Sequence, residues 1–302
     1  MAITRRDFLL SGLGAVSAAS LVTSPLFSWA AKAGISTSRM PLIMVATGAS
    51  PAENVRKVIA ALGGIDKFVK PGDRVFIKPN SITPQSPEFA VNTNPDVVSE
   101  VVRLCSKAGA SQITAAMHDD RRATEENGIG KAFEANGGTW KVVNEVSMYR
   151  RVNLPLGLLL RDTMVVNELL DCDVFINIPV AKHHGGSRLT LGMKNYMGLN
   201  WDRQIMHTTD LHQTIADLVT VRKPDLTIID ATRMLLNNGP AGPGSVREAK
   251  TIIASADLVA ADAYAATMFK HEPADIPHIR YAAEMGLGEM NLNKMDIQRL
   301  KA

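Results

Sequence analysis

Between residues 182 and 195 the chain reads Lys-His-His-Gly-Gly-Ser-Arg-Leu-Thr-Leu-Gly-Met-Lys-Asn, directly after the apolar run Asp173–Val180. These residue types suit a polar site. Lys182 and Lys194 are hydrated cations that hold a carboxylate or phosphate. His183 and His184 titrate close enough to neutrality to move a proton. Gly185 and Gly186 permit positive φ, which turns backbone amides toward an anion. Asn195 both donates and accepts, as does Asn80, so the two suit orientation of a polar ligand.

Other apolar runs end in the same way. Lys78, Pro79 and Asn80 follow Val75–Ile77, His118 to Arg121 follow Ile113–Met117, and Asp230 follows Leu226–Ile229. In an open parallel sheet, ligands bind beyond the carboxyl ends of the strands. Separate segments are therefore expected to converge on one cleft. In it Lys78, Lys182 and Lys194 would hold an anion, Asn80 and Asn195 would orient it, and His183 or His184 would move a proton. Asp230 or His212 would assist. His207 and His212 frame Asp210, but five residues apart they do not share a helix face well, and Thr209 or Asp210 is placed to cap the following helix. The turn from Asn237 to Gly244 holds three Gly and two Pro, the composition of a shaped loop. It has neither a P-loop ending nor a dinucleotide fingerprint.

The elements that must carry these residues alternate. Strands are expected at 41–48, 73–80, 111–118, 139–146, 172–180, 225–232 and 249–256. Helices are expected at 51–64, 93–110, 124–138, 210–223 and 257–271, with apolar residues at helical spacing. Asn94 and Pro95 open the second helix as cap and first-turn residue, and Asp257 caps the last. Asp262, mid-helix among apolar residues, requires a partner. The alternation implies an α/β fold, a mostly parallel sheet with helices on both faces. No linker divides residues 34–302, so a single large domain is expected there.

Residues 1–33 read as an address. Thr4-Arg5-Arg6-Asp7-Phe8-Leu9 is a twin-arginine pattern followed by a small and apolar run, with Ser28 and Ala30, or Ala31 and Ala33, suited to signal peptidase. The expectation is export to the periplasm through the twin-arginine translocase, which moves folded cargo. A cofactor loaded beforehand is compatible with that route; its identity is unknown. The run is interrupted by Gly, Ser and Pro25, and no other long apolar run follows, so no stable membrane span is expected in the mature chain.

The chain carries 33 basic and 30 acidic residues. Removing Arg5, Arg6, Lys32 and Asp7 with the address leaves 30 against 29, or +1, without the basic footprint of a nucleic-acid binder. Cys105 and Cys172 are the two cysteines. Two thiols cannot ligate a four-cysteine iron–sulfur cluster; they read as buried free thiols, with a disulfide as the alternative in an oxidising compartment.

Taken in order, Ile-Lys-Pro-Asn (77–80), the helix from Asn94, Ile-Asn-Ile-Pro-Val-Ala-Lys-His-His (176–184), Leu-Thr-Leu-Gly-Met-Lys-Asn-Tyr-Met-Gly-Leu (189–199), His212 and the segments at 224–231, 238–244 and 252–265 resemble the family known as domain of unknown function 362. The resemblance implies the fold and the position of the site, and leaves the reaction open. Members often add a ferredoxin-like cluster domain, whose cysteines this chain lacks, and often carry Glu-Gly before the Gly-Pro turn, where Leu236-Asn237 stands here. Two functions are compatible: an exported enzyme doing acid–base chemistry on a small anion, or a non-catalytic binder of a cofactor or metal that escorts exported redox proteins.

Overall fold

The computed structural model describes residues 40–118 and 121–301. The twin-arginine pattern and Asp119 and Asp120 lie outside the described residues. The elements run β1 Leu42–Thr47, α1 Pro51–Ala61, β2 Arg74–Pro79, α2 Pro95–Lys107, β3 Gln112–Met117, α3 Arg121–Glu126, α4 Ile129–Glu134, β4 Thr139–Val142, β5 Tyr149–Asn153, β6 Asp162–Val166 and α5 Asn167–Asp171. They continue with β7 Val174–Ile178, β8 Val180–His184, β9 Arg188–Thr190, α6 Gly192–Asn195, α7 Arg203–Thr208, α8 Leu211–Val219, β10 Leu226–Leu235, β11 Val246–Ser255, α9 Leu258–Met268, α10 Pro277–Glu284 and β12 Asp296–Lys301.

Local chemistry explains the boundaries. At α1 the Ser50 hydroxyl accepts from the Glu53 amide, and at α2 the Asn94 side chain accepts from Asp96, each with a proline in the first turn. Asp257 caps α9 and Asp210 caps α8. The helix expected at 124–138 is two short ones. Gly128 adopts φ 85°, which breaks the register between α3 and α4.

The main sheet orders its strands β12-β1-β11-β10-β7-β2-β3-β4, with β8 on β10 and β9 on β8. Pairing is parallel except where β11 meets β1 and β10, and where β9 meets β8. The fold is therefore α/β with a mostly parallel sheet. A separate β5–β6 hairpin is antiparallel.

Side-chain alternation divides the core. On one face Ile77, Ile176 and Ile228 pack with Val55, Val58, Val97 and Val101 of α1 and α2. On the other Phe76, Phe175 and Ile229 pack with Ile215, Leu218, Val259 and Ile279 of α8, α9 and α10. Central strands buried on both sides read as continuous apolar runs, as Val174–Ile178 does. Among the described residues no helix is long and apolar enough to cross a membrane.

Candidate functional site

The parallel strands β2, β3 and β7 deliver their carboxyl ends to one edge, with Lys78 of β2 in register with Asn177 of β7. A cavity of about 700 Å³ opens there. Lys78, Asn80, Lys182, His184, Lys194 and Asn195 all line it, together with His118 after β3. Segments more than a hundred residues apart thus meet, as the strand-end pattern predicts.

A run of side-chain amides forms the floor. The Lys182 ammonium donates to Asn80 Oδ1 at 2.9 Å and to the Val91 carbonyl at 2.5 Å. Asn80 Nδ2 donates to Asn195 Oδ1 at 2.9 Å. Asn195 Nδ2 donates in turn to the Lys78 carbonyl at 3.0 Å and to Asn177 Oδ1 at 2.8 Å, and Asn177 Nδ2 donates to the Gly192 carbonyl at 2.9 Å. Both donors of Asn195 are thereby used within the protein, and its role here is to tie β2 and β7 to α6.

The four-residue helix α6 places Lys194. Its entry is held by Asp262 of α9, whose carboxylate accepts from Gly192 N at 2.7 Å and Met193 N at 2.9 Å. Glycine at 192 allows the close approach of α9, since a Cβ there would sit 2.4 Å from Leu258 Cδ1 and 2.8 Å from Asp262 Oδ1 and would displace the side chains that hold the turn. Burial raises the Asp262 pKa to about 7, against the pull of the two amides. The partner that Asp262 requires is therefore the turn that carries Lys194.

Charge in the cavity is one-sided. Among the described residues its lining holds four cationic side chains (Lys78, Lys182, Lys194, Arg203), three imidazoles (His118, His184, His207) and one carboxylate. That carboxylate, Asp202, accepts from Ile205 N at 3.1 Å as the cap of α7. Burial lowers the Lys194 pKa to about 8, with the Arg203 charge adding to the effect. Lys182, 1 % exposed, is pushed well below the ordinary lysine value by burial and by Lys194 and Lys78. The lowered His118 and His207 values also have burial as first cause.

His184 is fixed as a neutral ring. Its Nδ1 accepts from Gly186 N at 3.0 Å and Ser187 N at 3.1 Å, which puts the proton on Nε2. Burial, then Lys194 and Lys182, lower its pKa to about 3. At neutral pH this ring is a hydrogen-bond donor at Nε2.

Three expected site residues lie elsewhere. His183 does not line the cavity; its Nδ1 accepts from Gly239 N at 3.1 Å, so it anchors the turn between β10 and β11. Asp230 sits in mid-strand, because β10 runs on to Leu235. It is 1 % exposed and accepts from Asn94 N, Thr232 N and Thr232 Oγ1 at 2.7, 2.9 and 2.6 Å. That carboxylate locks α2 to β10. His212 stacks on His278 of α10, Nδ1 to Nδ1 at 3.0 Å, away from the lining.

The 182–186 segment also departs from a loop. Pro179 ends β7, but the chain resumes as β8 and turns through Gly185-Gly186 into β9. Neither glycine has positive φ, and their amides are spent on Gly239 O and His184 Nδ1. They offer nothing to an anion. The proline-rich turn, in contrast, does reach the site, since Pro240 forms part of the wall.

Sequence reasoning passed over Arg203, Trp201 and Thr190. All three line the cavity. Trp201 makes an edge contact with Tyr149 at 5.2 Å between centroids and stacks on His118 at 6.3 Å. The only signal in the sequence was the polar segment Asn200–Gln204 following the Lys194 motif. Among the described residues no group of three or more His, Cys, Asp or Glu could hold a metal ion. Cys105 and Cys172 are free thiols, and burial pushes both up to about 12.

The family described as Domain of unknown function (DUF362) matches residues 75–267, more than half of the sequence, and the chain belongs to it. It is 28 % identical over 253 residues to the thylakoid-associated protein sll1697 of Synechocystis sp., covering 78 % of this chain and 74 % of that one. Among solved structures it is similar to the lactate racemase apoprotein of Thermoanaerobacterium thermosaccharolyticum, with TM-score 0.42 and 10 % identity over 64 % of this chain. A Thermotoga maritima protein matches with TM-score 0.45 and 9 % identity over 78 % of this chain. The chain spans 50 % and 60 % of those two structures' lengths.

Proposed function

We propose that the cavity binds a small organic anion and that the protein performs acid–base chemistry on it. The observation that carries this reading is the lining itself, which among the described residues gathers Lys182, Lys194 and three imidazoles, with Lys78 and Arg203, around one carboxylate engaged as a helix cap. Like charges gathered in a partly desolvated space raise each other's cost, and a bound anion relieves it. Lys78, Lys182, Lys194 and Arg203 supply the field. His184 donates from Nε2. Lys194, with its pKa near 8, exchanges a proton at neutral pH more readily than an ordinary lysine. Asn80 and Asn195 serve the ligand through the lysines and strands they hold.

Export through the twin-arginine route is part of the same proposal, supported by residues 4–9. Arg5→Lys/Arg6→Lys protein should stay in the cytoplasm while the wild-type chain reaches the periplasm shortened after Ala30 or Ala33. Equal distribution of the two would refute export.

The ligand reading is tested by thermal shift against phosphate, sulfate and mono- and dicarboxylates, with sodium chloride at matched ionic strength. At least one anion should raise Tm by several degrees, and Lys194→Ala should reduce that gain. If none stabilises the protein beyond chloride, the reading is wrong.

A further inference from the structure

The lysines of the cavity are not equivalent. The Lys182 amine is committed to Asn80 Oδ1 and the Val91 carbonyl, and the Lys78 amine donates to the Pro79 carbonyl at 2.6 Å. Lys194 is 9 % exposed and lines the cavity, yet its amine makes no hydrogen bond or ion pair with another described residue. It stands on a turn fixed from behind by Asp262 and Asn195. Its charge is felt by Lys182 and His184 from β8 and by His207 from α7, and the Arg203 charge acts on it in turn, all of them in the same cavity wall. A desolvated amine beside other cations is the environment that turns a lysine into a nucleophile toward carbonyl carbon.

We propose that Lys194 forms an imine with a small 2-oxo acid held in this cavity. The proposal rests on the anion-binding reading above and names the substrate class. The carboxylate of the oxo acid lies in the field of the cationic lining, and the ketone faces Lys194. The amine lone pair forms the C–N bond while the carbonyl π pair moves to oxygen. That oxygen leaves as one water with the two hydrogens of the amine, and a solvent proton gives the iminium. No oxidant or reductant is consumed. The iminium withdraws electrons from the adjacent carbon, so a C–H bond there becomes acidic, which is the acid–base chemistry the site is built to perform. The lowered pKa of about 8 is consistent with a free amine available near neutrality.

The test uses the full chain with pyruvate and sodium cyanoborohydride, followed by intact mass and peptide mapping. Propionate, which lacks the ketone, serves as competitor, and thermal shift is measured for both acids. The expected result is a single adduct, equal to pyruvate less one water plus two hydrogens, on the peptide containing Lys194. Propionate should suppress it, and Lys194→Arg should abolish it. Its rate should level off above pH about 8, whereas exposed lysines continue to gain reactivity toward their ordinary value of 10.5. If both acids raise Tm but no adduct forms, or it maps to other lysines, the imine is refuted and the anion site stands. If neither acid raises Tm and no adduct forms, both proposals fail. An adduct confined to Lys194 without a Tm gain upholds the imine and removes the support for an anion site. Mapping on the wild-type protein decides the matter even if the arginine variant does not fold.

Discussion

Lys194 and Asn195 are neighbours in sequence with opposite effects on the fold. Asn195 is 2 % exposed and satisfies Asn80, Asn177 and the Lys78 carbonyl at once. Asn195→Ala strands those buried groups and should cost about 2–4 kcal/mol in urea unfolding. Lys194 is a buried cation whose pKa falls from 10.5 to about 8. Between those values the unfolded chain holds more protons than the folded one, so stability climbs with pH across that window. Lys194→Met should therefore stabilise the empty protein by about 1–2 kcal/mol at pH 7, flatten the rise between pH 8 and 10.5, and lose the anion response. A variant that loses stability at pH 7 would contradict this account of the charge. The lysine and asparagine types were legible as site residues from sequence. Which of them faces outward was not, since that depends on partners such as Asn177 and Val91 from other segments.

At the scale of elements, α6 is four residues long and would not persist alone. It exists because Asp262 takes its first two amides and Gly192 lets α9 approach. Asp262→Asn presents an amide group to one of those N–H donors, so it should cost about 1–3 kcal/mol and weaken anion stabilisation by loosening Lys194. A urea midpoint and a thermal shift on the same variant check both. Asp262 was recognisable as needing a partner because it breaks an apolar helix. The partner was not recognisable, for it lies about seventy residues away. The strand Val174–Ile178 and the caps at Asn94 and Asp257 could be read directly, since burial pattern and capping are local, while the choice between Thr209 and Asp210 fell to Asp210 only in the structure. The antiparallel direction of β11, the edge strand β12 and the continuation of β10 past Asp230 left no local trace, and the last of these misplaced Asp230.

For the whole molecule, one buried histidine contributes to the acid behaviour. His278 is fully buried, its value held well below 6.5 by burial and by His212, Lys194 and His184. Below pH 6.5 the unfolded chain takes up a proton there that the folded chain refuses, so this group lowers stability as pH falls. His278→Phe should lose about 1–2 kcal/mol less than wild type between pH 7 and pH 5, measured by denaturant unfolding at each pH. Parallel losses in the two proteins would show that another group dominates. The sheet also joins distant parts of the chain. The β1 strand at 42–47 finds its neighbours only in β11 and β12, with Thr47 bonded to Thr251 across 204 residues. During synthesis that strand emerges ahead of both partners, with Thr47 preceding Thr251 by 204 residues, and its edges stay unoccupied until they follow. Closure of the sheet at β1 thus has a large loop to span, and its entropic cost falls on the pairing of Leu42–Thr47 with β11 and β12.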